Sequence, residues 1–345
     1  MKTKAAILEK ISHPLALWEM TIPSLLPGQV LVKMAFSGIC RTQINEILGF
    51  KGEDHYLPHT LGHEGSGIVV DVGPNVDKVK VGDPVVVSWI KGKGKDIPST
   101  KYFAGSVQVN SGAVSTFLEY AVISENRLVV LPKEIELREA ALLGCAFSTG
   151  AGTVWNEMEI QPEQSIAIFG LGGIGMSALI AAVIAKAYPI IAVDIHEEKL
   201  QKAKSLGATH LIDAKKESFL SHIQHATQGK MVDFSFESAG INSAMESAFQ
   251  AVKPKTGKCF IAGNLENGKK IQINPFDLIL GKKIYGTWGG KTDPDEDIPK
   301  YCKLIKEQRL LLSPLISHEV PLDNINELIT LFQENKVQRG LIAFI

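Results

Sequence analysis

The sequence predicts a two-domain α/β protein in which a doubly wound, parallel-sheet domain is inserted into a mostly β domain. Three observations predict it. Up to about residue 130, short β-rich runs are punctuated by glycine and proline. From about residue 147 to 288, apolar strands alternate with helical patterns, the signature of parallel βαβ units. After that the chain returns to mixed elements. A length of 345 residues suits two cores at roughly 150 residues each. The expected division is therefore 1–146 with 289–345 for the first domain and 147–288 for the second.

In the first domain, "QVLVKMAFSG", "GSGIVVDVG", "DPVVVSW" and "TFLEYAVI" read as strands because β-branched and aromatic residues cluster between turn-formers. In the second, "SIAIFG" leads into the helical run "IGMSALIAAVIAKA", followed by the strand "IIAVD" and the helix "EEKLQKAKSLG". The strands "HLID", "VDFSFES" and "KCFIAG" follow, with the helix "AMESAFQAV" before the last of them. In the tail, "NINELITLFQENK" has the spacing of an amphipathic helix. Neither a repeat nor a low-complexity linker interrupts the chain.

Composition narrows the function classes. With 45% hydrophobic and 21% charged residues the chain is of globular, soluble type. A net charge of -1 gives no electrostatic footprint for nucleic acid or an anionic membrane, so neither is an expected partner. The most apolar stretch is broken by Lys186 and Pro189 before it reaches a membrane-spanning length. The start "MKTKAAILEK" shows no secretory signal. Cys40, Cys145, Cys259 and Cys302 lie far apart without C-x-x-C spacing, which points to a reducing compartment, the cytoplasm.

The second domain carries a nucleotide fingerprint. "IAIFGLGGIG" runs a strand into Gly170, Gly172, Gly173 and Gly175, where glycine permits a tight turn, close approach of backbone N–H groups to a pyrophosphate, and packing of helix on strand. The next strand ends at Asp194, 19 residues past Gly175, where a carboxylate accepts from both ribose hydroxyls. Asp194 repels a 2′-phosphate and no arginine follows closely, so NAD is expected rather than NADP. Lys199 is within reach of the adenosine ribose, or else is a solvated lysine on a helix face.

In the first domain, Cys40 stands in "GICRTQINEIL", His63 in "LGHEGSG" and Cys145 in "AALLGCAFSTG". Two thiolates and one imidazole make a zinc set that leaves a fourth position open, although spacing alone does not separate ligands from packed cysteines.

These segments bring out a resemblance. "GHEGSGIVVDVGPNV" fits the pattern G-H-E-x2-G-x5-G-x2-V at every fixed position, and "GICRT", "AALLGCAFSTG", "FGLGGIG", "INPFDLILGKKIYGTWGG" and "QRGLIAFI" follow in family order. The chain resembles the zinc-dependent medium-chain alcohol dehydrogenases along nearly its whole length, especially the classical alcohol and glutathione-dependent formaldehyde dehydrogenase branch. The resemblance implies a GroES-like catalytic domain with a Rossmann coenzyme domain. It implies that Cys40, His63 and Cys145 bind catalytic zinc, with Glu64 beside it as a neighbouring or exchanging ligand. Arg41 and Arg339 match arginines that pair with the coenzyme pyrophosphate, and Thr42 matches the hydroxyl that bonds the substrate oxygen. Trp89 matches a position lining the substrate pocket, and Phe147, Thr149 and Ile174 match residues that flank the nicotinamide. Cys259 and Cys302 read as packing residues. A homodimer or homotetramer is implied.

The chain also departs from that family. "IKGKGKDIPSTKYFAGSVQVNSGAV", where many relatives hold a structural zinc on four cysteines, has neither cysteine nor histidine, so one zinc per chain is expected. Gln43 stands where relatives usually have an aspartate that orients the histidine ligand; its amide oxygen is expected to face the imidazole N–H without supplying charge. Asn45 stands where a histidine often ends the proton relay, and His55 is the nearest alternative in sequence. The expected activity is NAD-dependent interconversion of a small-molecule alcohol and its aldehyde or ketone, with zinc as Lewis acid and Thr42 relaying the proton. The rivals are a zinc-free quinone or enone reductase of the same superfamily and a non-catalytic nucleotide-binding protein.

Overall fold

The computed structural model describes residues 1–216 and 219–344, so the last residue of "QRGLIAFI" lies outside them. The chain divides into two compact units, Met1–Cys145 with Asp293–Ile345, and Ala146–Thr292.

The first unit holds two β systems. Lys2–Leu8, Ala16–Thr21, Tyr102–Ala104, Val107–Ser111 and His59–Thr60 close into a small barrel. A second sheet runs Leu128–Val130, Pro84–Ser88, Glu64–Val72, Gln29–Ile39, Gly340–Ala343, His318–Pro321, with Tyr120–Ser124 also paired to Gln29–Ile39. The expected strand "TFLEYAVI" is thus shorter than read: residues 116–119 lie outside the strand, with Leu118 bridging Ala5. Gln29–Ile39 is buried along most of its length, and its Val30, Leu31, Val32 and Met34 join one apolar core. A second core gathers Ile39, Ile44 and Ile47 with Ile325, Leu328, Ile329 and Phe332 of the tail helix Ile325–Gln333, the amphipathic helix read from the sequence. This core fixes the short helix Arg41–Ile47 through its buried face, Gln43, Ile44 and Ile47.

The second unit is a six-stranded parallel sheet in the order His210–Asp213, Ile190–Asp194, Ile166–Phe169, Phe234–Glu237, Lys258–Ile261, Lys283–Gly286. This is the doubly wound order, whose reversal lies between Ile166–Phe169 and Phe234–Glu237. The sequence reading finds five of these strands by their apolar runs. The sixth, Lys283–Gly286, is an edge strand of mixed exposure whose pattern is too weak to read, and the helix Pro275–Ile279 before it has no buried residue. Cys259 sits in a strand and Cys302 in the helix Pro294–Lys306, both buried, and burial pushes their thiols up to about 12 and about 11. They are packing groups in the structure as in the sequence reading. No helix among the described residues is long and apolar enough to cross a membrane.

Candidate metal centre and coenzyme turn

Strand register explains how three distant residues meet. Gln29–Ile39 and Glu64–Val72 pair antiparallel with Ser37 opposite Gly65, so Cys40, just past the end of one strand, lies beside His63, just before the start of the other. Gly62 makes the turn into His63 at φ +90, and a Cβ there would strike the Thr116 side chain. Cys145 arrives from a 3-10 turn, Ala141–Gly144, tied down by Ser88 Oγ donating to the Gly144 carbonyl at 2.8 Å; Ser88 is itself the strand partner of Glu64.

Cys40 Sγ, His63 and Cys145 Sγ offer ligand atoms that all lie within 4.8 Å of one another, with His63 Nε2 3.1 Å from Cys145 Sγ. Cys40 and Cys145 are buried and His63 is half-buried. The Cys40 thiol is held well below its usual range, chiefly by hydrogen bonding with Cys145, against the opposing effect of burial, and with help from His63 and the positive charge of Arg339. Two soft sulfur donors and one imidazole, converging with a thiol disposed to ionise, fit zinc with three protein ligands.

The surrounding shell is built by the same register. Gly340 pairs with Ile39, which sets Arg339 beside Cys40. Arg339 is 2% exposed and ion-paired with the fully buried Glu64. Glu64 is thus paired with Arg339, and its oxygens are not among the three ligand atoms that converge. Arg339 is not a surface charge; its Nε is buried without a hydrogen-bond partner among the described residues, a donor that an anion would satisfy. Arg41 is exposed, donates to Asn335 Oδ1 at 3.0 Å and lies over the Phe332 ring. Thr42 Oγ1 is 3.8 Å from Cys40 Sγ. The Trp89 ring stands edge-on to His63, centroids 6.4 Å apart, which places it beside the ligand set.

Gln43 differs from expectation. Its Oε1 accepts the Cys40 N–H at 3.0 Å as part of a capping box, so its Nε2, not its oxygen, faces His63 Nδ1. The reason is local: the N-cap N–H of the helix takes the amide oxygen first. Sequence reasoning also missed a neighbouring group. His55 is exposed at the surface near Glu53, whereas His59 is buried with Nε2 2.9 Å from Asp54 Oδ2, and Glu46 completes a cluster with them. A histidine in a two-residue strand gives no periodic signal that would have revealed it.

In the second unit, the strand Ile166–Phe169 leads into the helix Gly173–Ile184 through the glycine turn. Gly170 is at φ +88, and a Cβ on Gly175 would collide with the Gly170 carbonyl and approach Ser238 Oγ at 2.8 Å. Gly172, by contrast, has nothing within 4 Å of an added Cβ, so its lack of a side chain serves no packing need of the protein and leaves space at the helix N-terminus for a phosphate group. Asp194 ends its strand with Oδ2 accepting from Leu171 N at 2.7 Å and Oδ1 from Ile195 N at 2.7 Å and His196 N at 3.0 Å. A carboxylate has about four acceptor positions, so one remains, on Oδ2; this is narrower than acceptance from both ribose hydroxyls. Ile174 and Lys199 are half-buried, on the helices Gly173–Ile184 and Glu197–Ser205. Thr149 is 6% exposed with its hydroxyl lacking a partner among the described residues, and Phe147 is fully buried, edge-on to Trp155.

Comparison with known proteins agrees with this anatomy. Residues 26–133 match the model of the alcohol dehydrogenase GroES-like domain, and residues 173–307 that of zinc-binding dehydrogenase. The chain is 32% identical over 370 residues to an S-(hydroxymethyl)glutathione dehydrogenase of Synechocystis sp., spanning 100% of both. Its fold is similar to a benzyl alcohol dehydrogenase from Acinetobacter calcoaceticus, with TM-score 0.91, 30% identity and 100% of each chain covered. It is also similar to an alcohol dehydrogenase zinc-binding domain protein from Burkholderia ambifaria, with TM-score 0.92, 29% identity and 99% of each chain covered. With its cysteine and histidine donors converging at one end of a GroES-like unit and a glycine turn in a doubly wound unit, the chain belongs to the zinc-dependent medium-chain alcohol dehydrogenase family.

Proposed function

We propose that this protein is an NAD-dependent zinc dehydrogenase that interconverts a small-molecule alcohol and its aldehyde or ketone. The observation that carries the reading is the convergence of Cys40, His63 and Cys145, a set that a zinc-free reductase of the same fold does not need. When bound, zinc supplies a Lewis acid for the substrate oxygen, and the nicotinamide supplies the hydride acceptor.

The protein's own part is positioning and proton handling. Cys40, His63 and Cys145 would hold the metal, and Glu64 keeps Arg339 charged and buried beside them. Thr42, next to Cys40, accepts the substrate proton and passes it on, since a hydroxyl both accepts and donates but does not store a proton. Trp89 narrows the space beside His63 and selects the substrate by shape. Arg41 and the open donor of Arg339 serve the pyrophosphate, for which a guanidinium fork is suited. Gly170, Gly172, Gly173 and Gly175 cradle the phosphates, Asp194 takes a ribose hydroxyl with Lys199 nearby, and Thr149 and Ile174 contact the nicotinamide end. The absence of cysteine and histidine from "IKGKGKDIPSTKYFAGSVQVNSGAV" supports one zinc per chain, and the scattered cysteines without C-x-x-C spacing support a cytoplasmic location. A homo-oligomer is proposed through the face formed by Pro275–Ile279 and the edge strand Lys283–Gly286, where Phe276, Ile279 and Trp288 are exposed.

The deciding experiment combines metal analysis with a panel of alcohols and carbonyls followed at the NADH absorbance. Turnover that disappears with zinc removal and returns on its addition is the expected result. A zinc-free chain that reduces quinones or enones at full rate overturns the proposal.

A further inference from the structure

The second unit contains a buried acid that the proposed chemistry does not use. Glu237 ends the strand Phe234–Glu237 at the carboxyl edge of the parallel sheet, at the point where the strand order reverses. It is fully buried. Its Oε1 accepts the Gly240 N–H at 2.7 Å, and its Oε2 is buried without a hydrogen-bond partner among the described residues. Its own carbonyl accepts from Ala262 N at 2.8 Å. One residue therefore joins two loops, that after Phe234–Glu237 through its side chain and that after Lys258–Ile261 through its main-chain carbonyl. Gly240, at φ +75, and Gly263 let the loops close over it: a Cβ on Gly240 would meet the Asn264 carbonyl at 2.8 Å, and one on Gly263 would meet Glu237 Oε2 at 2.5 Å.

The contacts continue to the phosphate turn. Ser238, the next residue, has its N–H on the Phe169 carbonyl at 2.9 Å and its Oγ on the Gly170 carbonyl at 2.8 Å. The short loop 238–240 is thus held at both ends, by the buried carboxylate at Gly240 and by the first glycine of the coenzyme turn at Ser238. We propose that Glu237 is a positioning residue for the coenzyme, its carboxylate holding the loop 238–241 so that Ser238 sets the shape of the glycine turn. This rests on the coenzyme reading given above.

Burial pushes the Glu237 carboxyl up to about 7, against the pull of the Gly240, Ala239, Gly263 and Ile241 N–H groups. Ionisation at this site costs stability, because the folded chain binds the proton more tightly than an ordinary glutamate does. The neighbouring elements bring few charges. Ile166–Phe169 and Gly173–Ile184 have no ionisable side chain. Lys258–Ile261 carries Lys258, over the Phe234 ring at the opposite end, and Cys259, whose thiol is raised by burial and further by Glu237. Asn242–Gln250 carries Glu246, which accepts from Gln272 N. Protonation at the unpartnered Oε2 leaves Oε1 a neutral and weaker acceptor for the Gly240 N–H, so the loop tie weakens as the pH falls through about 7.

The test is fluorescence titration of the zinc-loaded chain with NADH between pH 6 and 8.5, with thermal melts beside it. Glu237→Gln keeps the volume but replaces the charged acceptor of the Gly240 N–H with a neutral, weaker one. At pH 8.5 it should bind NADH at least about tenfold more weakly while melting at the same or a higher temperature, because a charge that is costly to bury has gone. Wild-type affinity should weaken several-fold from pH 8 to 6 with an inflection near 7, and the variant should lack that inflection. Where Glu237→Gln does not fold, Ser238→Ala carries the test: it should weaken NADH binding several-fold and keep the inflection. NADH affinity unchanged in the variants, or lost only together with the melting temperature, overturns the inference. Failure of the wild-type chain to bind NADH or NADPH at any pH overturns the coenzyme reading itself, and this inference with it.

Discussion

Gln43 bridges two of the three residues whose donor atoms converge, with Oε1 accepting the Cys40 N–H at 3.0 Å and Nε2 facing His63 Nδ1. A histidine that gives Nε2 to a metal keeps its proton on Nδ1 and needs an acceptor there. The amide serves one neighbour at a time: turned to face Nδ1–H with its oxygen, it loses the Cys40 N–H. A carboxylate serves both. Gln43→Glu is therefore expected to hold zinc about tenfold more tightly, and Gln43→Leu about 10–100-fold more weakly, in competition with a chelator. The metal-free Gln43→Glu chain should melt lower than wild type, since its buried charge then lacks a cation. Equal zinc affinity in all three chains would contradict this role.

The lobe without cysteines is organised by a carboxylate. Glu125 is 2% exposed; Oε1 accepts from Lys95 N at 2.9 Å, and Oε2 from Asp77 N at 3.0 Å and Lys78 N at 3.3 Å. Around it, Lys78 pairs with Asp295 and Lys93 with Glu296. Glu125→Ala leaves three backbone donors without this acceptor and should cost roughly 2–3 kcal/mol. The zinc content should stay near one per chain in both variant and wild type, by elemental analysis. Two tightly held zincs would show that a second site exists. Burial raises the Glu125 carboxyl, but the three N–H groups and Lys95 outweigh it and hold the acid below its usual range. Its contribution is thus complete above the unfolded value of 4.5 and fades as the pH falls through the lower folded value, so the acid limb of unfolding should be shallower in Glu125→Ala.

Much of this was legible in the sequence, for physical reasons that can be named. The strand–glycine–helix unit at 166–184 has an apolar run, a turn that only glycine makes and a helical run, so element and site are encoded together. Cys40, His63 and Cys145 were legible through their surrounding motifs; their meeting depends on the pairing of Ser37 with Gly65, a register that no local pattern states. Arg339 beside Cys40 depends likewise on Gly340 pairing with Ile39, across 300 residues of chain. The orientation of the Gln43 amide and the burial of His59 are set by competition for hydrogen bonds in three dimensions, to which residue type alone is blind. Glu237 was read only as part of a strand, because a buried acid looks in sequence like a surface one.

The proposed preference for NAD rests on Asp194. Its oxygens already take the N–H groups of Leu171, Ile195 and His196, which fixes the carboxylate at the strand end and leaves one acceptor position for a hydroxyl. A 2′-phosphate would meet like charge there, a difference of at least about 1–3 kcal/mol. NAD should therefore exceed NADP in kcat/KM by about tenfold or more, at about 1.4 kcal/mol per decade. Equal efficiencies would contradict the assignment. Asp194→Asn should narrow the gap and also raise the KM for NAD, because the amide nitrogen turns a donor toward one of the backbone N–H groups.

The proton step separates Thr42 from Asn45. Thr42 Oγ1 lies 3.8 Å from Cys40 Sγ, close enough to the ligand set to take a proton from a substrate oxygen held there. Asn45, half-buried on the same short helix, has no titratable group with which to finish the transfer. Positioned acid–base transfer contributes about 10²–10⁴ in rate, and Thr42→Ala should lose most of that in alcohol oxidation. Asn45→His should keep the activity or raise it below pH 8, where a neighbouring base relieves the step. The measurement is single-turnover hydride transfer across pH, which keeps NADH release from masking chemistry. A Thr42→Ala chain of wild-type rate would remove the hydroxyl from the proton path. A severe loss in Asn45→His would instead mean that the amide positions coenzyme or substrate, and the exit would then be sought at the buried His59 and Asp54, 2.9 Å apart, rather than at the exposed His55.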